Sequence, residues 1–95
     1  MTLSNDAVES AGQPDLDEIE RWFAAVADGR VSREEADRWA GRWLLDDELG
    51  WDELSLWALG LLYGIDLPVA PGGPYLHGEA QVREWLAQLR RRRGR

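Results

Sequence analysis

Ser32-Arg33-Glu34-Glu35-Ala36-Asp37-Arg38-Trp39-Ala40-Gly41-Arg42-Trp43-Leu44 contains the clearest periodicity in the chain. Ala36, Trp39, Ala40, Trp43 and Leu44 recur at i, i+3, i+4, i+7 and i+8. That spacing lines one face of an α-helix, whereas a strand would send successive members to opposite faces. Arg38 and Arg42 fall together beside the apolar stripe. Ser32 with Glu35 three residues on has the spacing of a capping box, in which each side chain accepts from a backbone N–H of the other's region. A helix from residue 33 is therefore expected.

Upstream the same logic repeats. Asp15 and Glu18 have capping spacing, Leu16, Ile19, Trp22, Phe23 and Val26 share one face, and Gly29 supplies a stop. The connection to the next helix is short, so the two are expected to lie antiparallel against each other. Residues 1–13 are polar and are expected to form a flexible lead-in, residues 14–92 a single helical domain and residues 93–95 a basic tail. Downstream, Leu54, Leu56, Trp57, Ala58, Leu59, Leu61 and Leu62 surround a third helix on nearly all sides, which predicts the most buried element, with Gly64 after it. Its start falls between Asp47 and Trp51. The stretch from Ile65 to Gly78 holds three prolines and three glycines and reads as an ordered loop, because apolar residues alternate with the breakers. Val82, Trp85, Leu86 and Leu89 then mark a last helix. The fold class is all-α, a single small domain of about four helices with a long Pro/Gly loop before the last.

The 95 residues support one core. Without cysteine, neither a disulfide nor a thiolate metal site can hold it. Six tryptophans supply large apolar area instead, and those on helix stripes are assigned to the core. No segment approaches a membrane span and no secretory leader is evident, which gives a cytoplasmic expectation. All eleven basic residues are arginine. The first 89 residues carry all 18 carboxylates against six arginines, a balance of −12, and Arg90, Arg91, Arg92, Arg93 and Arg95 bring the chain to −7. Such a body repels a phosphate backbone and attracts cationic surfaces.

Catalytic chemistry has little to work with: one histidine, no cysteine and no serine in a nucleophile elbow. No catalytic residue, cofactor or metal site is expected. Asp46, Asp47, Glu48, Asp52 and Glu53 crowd the approach to the third helix, where negative charge suits the helix dipole. They lack the alternation and central glycine of a calcium loop, and are open to a second role as a contact for a basic partner. Trp51 lies among them as either a core residue or an aromatic anchor. Tyr75 and His77 close the loop and add contact area, His77 being the one histidine of the sequence.

Trp57-Ala58-Leu59-Gly60-Leu61-Leu62-Tyr63-Gly64-Ile65-Asp66-Leu67, Pro71-Gly72-Gly73-Pro74-Tyr75-Leu76-His77 and Glu84-Trp85-Leu86 together resemble small bacterial helical proteins that are associated with polymorphic-toxin immunity or uncharacterised. The resemblance covers about the last 40 residues. It implies a non-catalytic protein that neutralises a partner, and it carries no catalytic residues. With the charge balance, the expectation is an acidic immunity-type inhibitor or adaptor that blocks a basic protein, such as a toxin domain, through Asp46, Asp47, Glu48, Trp51, Asp52, Glu53, Tyr75 and His77; membrane and nucleic acid are disfavoured. The alternative is a nucleic-acid-associated or regulatory module that uses the C-terminal arginine run.

Overall fold

Three of the four helices begin where a side chain accepts a backbone N–H that the first turn leaves free. In the structure, a computed structural model that describes residues 13–94, Asp15 caps α1 (Leu16–Ala27) by accepting from the Glu18 N–H at 2.9 Å. The lead-in expected over residues 1–13 lies outside the described residues except for Gln13. Ser32 and Glu35 form the full capping box of α2 (Arg33–Leu44). Asp52 caps α3 (Glu53–Leu62), accepting from the Ser55 N–H at 3.0 Å and from its hydroxyl at 2.6 Å. α3 therefore starts later than the Asp47–Trp51 window, because the cap rather than the first carboxylate sets the start. α4 (Glu79–Arg92) begins at Gly78 with no side-chain cap.

The apolar stripes meet in one core. Ile19 and Phe23 from α1, Ala36 and Ala40 from α2, Ala58, Leu59 and Leu62 from α3, and Val82 and Leu89 from α4 are almost completely removed from solvent, with Ile65 closing the end. Among the described residues the helices are the regular structure, and an isolated bridge between Pro68 and Tyr75 is the one extended pairing. All-α architecture with a long loop before the last helix is what the periodicity predicts.

The pairing of helices differs from expectation. α1 packs mainly on α4 and α2 mainly on α3, while α1 and α2 touch only slightly despite their short connection. A short loop restricts where the next helix starts but not which apolar stripe it covers. The weak contact leaves a cleft between α1 and α2. α3 touches all three other helices, yet Leu56 is about half exposed at 48% and Gly60 faces solvent. The domain is too small to enclose one helix on every side.

The 65–78 loop is ordered, but not by burial of its apolar residues. Leu67, Val69, Tyr75 and Leu76 are exposed, and only Ile65 enters the core. Order comes from hydrogen bonds: Val69 N–H to Pro74 O and Leu76 N–H to Leu67 O, both at 2.8 Å, close a small ribbon. Arg33 on α2 then clamps both ends, donating to His77 O at 2.6 Å and Ile65 O at 3.2 Å, with its guanidinium 4.3 Å from the Tyr75 ring centre. Asp37 accepts the Gly64 N–H at 2.7 Å.

Candidate functional site

The cleft between α1 and α2 is built on an aromatic pair. Trp22, on the α1 stripe, and Trp39, on the α2 stripe, stack with ring centres 4.6 Å apart and planes inclined by 14°. Both pack against the core yet remain partly exposed. Trp22 lines two grooves. One, of about 410 Å³, is lined by Trp22, Glu35, Arg38, Trp39 and Arg42. The other, of about 270 Å³, is lined by Glu18, Arg21, Trp22, Ala25, Arg30 and Val31. The helical period explains the clustering: Arg38 and Arg42 stand one turn apart on α2, and Arg21 precedes Trp22 on α1.

The disposition of the arginines defines the electrostatics. Arg93 donates to Asp17 and Glu20, each at 2.7 Å, and Arg90 donates to Glu20 at 2.9 Å. Arg91 pairs with Glu84, Arg83 with Glu79, and Arg30 with Asp28. Arg33 is spent on the loop, and Arg92 lies 4.8 Å from the Trp57 ring centre. Arg21, Arg38 and Arg42 alone have neither an ion pair nor a hydrogen bond nor a ring contact among the described residues. All three are exposed and all three border the Trp22 grooves. Of the two carboxylates there, Glu35 is already engaged by the Ser32 N–H and hydroxyl. The chain is acidic as a whole and basic at this cleft.

The residues singled out from the sequence do not form one site. Tyr75 donates its hydroxyl to Glu34 at 3.0 Å, which pushes the phenol pKa up, and His77 meets the Trp85 ring edge-on at 4.8 Å. Both sit beside the α2 N-terminus. Asp46, Asp47 and Glu48 follow the α2 C-terminus, so the length of α2, about 18 Å for 12 residues, separates the two groups. Asp46 accepts the Glu48 N–H within its own turn. Asp52 is committed to the α3 cap, and its hydrogen bonds from Ser55 hold its carboxyl below the ordinary carboxylate range. Glu53 and Asp47 are exposed. Trp51 is partly buried against the core, and its indole nitrogen is enclosed with no acceptor among the described residues. The arginine tail, which carried the alternative expectation, is largely consumed by ion pairs to α1 and within α4.

What the sequence reading missed has a visible signature. The dipeptide Arg-Trp occurs at 21–22, 38–39 and 42–43, an interleaving of cation and ring that suits stacking and phosphate contact together. Assigning Trp22 and Trp39 to the core by their stripes concealed it.

Residues 5–89 match the model of the family described as YxzC DNA-binding protein. The chain belongs to this YxzC family. No curated protein and no solved structure matches it. The YxzC description overturns the expectation of an immunity-type inhibitor with a basic protein partner, and the expectation that nucleic acid is disfavoured. The physical error was to use net charge, an average over the whole surface, where an interface depends on local unpaired charge. The match also ends at residue 89, ahead of the arginine run to which the alternative was tied.

Proposed function

We propose that this protein acts by binding DNA, without catalysis, through the cleft between α1 and α2. The observation that carries the proposal is the gathering of the unpaired arginines Arg21, Arg38 and Arg42 around the Trp22–Trp39 stack. Membership of the YxzC DNA-binding protein family supports the ligand class. Arginine suits phosphate because its planar fork donates two parallel hydrogen bonds. The surrounding carboxylates oppose loose association over the rest of the surface, so the DNA contact is confined to the cleft.

Counterion release supplies the test. About three or four phosphate contacts give a plot of log affinity against log salt a slope of about −2 to −4. Arg38→Gln with Arg42→Gln is expected to reduce that slope by about 2 and to weaken binding about 10- to 100-fold near 0.1 M salt. Arg91→Gln, at an ion pair within α4 whose residues line neither groove, should leave affinity nearly unchanged. Fluorescence anisotropy with a labelled oligonucleotide measures both. Absence of DNA binding, or equal binding by the double variant, defeats the proposal.

A further inference from the structure

We infer that the cleft takes unpaired DNA, with a base laid against the exposed indole surface of Trp22 and Trp39 and the flanking phosphates on Arg21, Arg38 and Arg42. This inference rests on the DNA-binding reading above and specifies the form of DNA.

Shape is the first argument. Reading a duplex requires a protruding helix or ribbon that enters a groove. Here the cations border two recesses that share Trp22, and the larger is walled by both Trp22 and Trp39. Phosphate contact alone has no use for an aromatic wall, but an unpaired base has a flat face that needs one. The larger groove, about 410 Å³, lies within the range of about 300–1,000 Å³ that holds compact organic ligands, so a single base fits. The two indoles already lie within 14° of parallel, and a base added to them extends an existing stack rather than creating one.

Charge is the second argument. A duplex carries one negative charge per about 1.7 Å of axis and a single strand one per about 3.4 Å at the same rise. Along the roughly 18 Å of α2 that amounts to about ten phosphates for the duplex and about five for the strand. The cleft offers three unpaired arginines, with Arg30 beside them shared with Asp28. The phosphates of a duplex in excess of these cations meet a surface that is otherwise acidic, with Asp46, Asp47 and Glu48 just past the α2 C-terminus. A flexible strand can follow the arginines and leave.

Three probes of equal length separate the possibilities at fixed salt: single-stranded oligo-dT, a duplex, and an abasic single strand with the same number of phosphates. Oligo-dT is expected to bind at least about tenfold tighter than either of the others and to quench tryptophan emission, which the abasic strand should not do. The three-probe comparison uses the wild-type protein, so its result does not depend on a variant folding. Equal or tighter binding of the duplex, or equal binding of the abasic strand, overturns the inference. If the duplex binds as tightly as oligo-dT or tighter and Arg38→Gln with Arg42→Gln removes that binding, the DNA reading stands and the unpaired-base inference falls. If no probe binds, both fall.

Discussion

At the scale of single residues, Asp52 shows how a carboxylate placed by sequence in an acidic cluster acquires a structural task. Its oxygens accept from the Ser55 N–H and hydroxyl, and these bonds favour the ionised form. A folded-state pKa below the unfolded value means that the stabilisation is complete above the ordinary carboxylate pKa, near pH 4. It is lost as pH falls through the lower folded value. Asp52→Ala is expected to cost about 1 kcal/mol at neutral pH, read from denaturant unfolding, and the difference from wild type should vanish in strong acid. Ser55→Ala should return the Asp52 titration toward its ordinary value, followed by carboxyl carbon NMR. Capping spacing made comparable roles legible for Asp15 and Ser32, but Asp52 was obscured by four neighbouring carboxylates that compete for the same reading.

At the scale of elements, glycines separate two demands on the backbone. Gly60 lies inside α3 with helical geometry, and a Cβ there meets nothing within 4 Å. Gly60→Ala should stabilise the fold by about 0.5–1 kcal/mol, seen as a higher Tm, because the unfolded chain loses freedom that the helix does not need. Gly64 ends the same region at φ +87°, where a side chain is strained, and a Cβ would lie 3.3 Å from Leu67. Gly64→Ala should destabilise by about 1–2 kcal/mol in the same melt. The loop that follows depends on one arginine. Arg33→Ala should raise amide exchange at Val69 and Leu76 while α1 protection is retained, since the clamp joins α2 to the loop alone. Element positions were readable because period and caps act within a few residues. The helix pairing was not, because the length of a loop leaves open which stripes meet.

At the scale of the whole molecule, the C-terminal arginines act as a fastener. Arg93 joins the end of α4 to Asp17, Glu20 and the Leu16 carbonyl on α1, with Arg93 and Asp17 76 positions apart in the chain. Its guanidinium pKa is pushed further up by these partners, so the charge persists at every pH at which the protein folds. Arg93→Ala should lower the Tm while leaving DNA affinity close to wild type. A large loss of affinity with unchanged stability would return the nucleic-acid contact to the tail. The same ion pairs explain why composition pointed to the wrong partner. Five of the ten arginines in the described residues are matched to carboxylates, and the remaining unpaired cations are concentrated rather than spread.

The amino-acid order alone established four helices, the caps of α1 and α2, the ordered loop and the apolar stripes, since each depends on residues within about one or two helical turns of one another. It also held the three Arg-Trp pairs, whose meaning was not local. Folding selected which arginines are neutralised, by bringing α4 onto α1, and it opened the cleft by pairing α1 with α4 and α2 with α3. Coulomb energy depends on distance through space, and contacts between residues 70 or more positions apart are what separate a spent arginine from an available one.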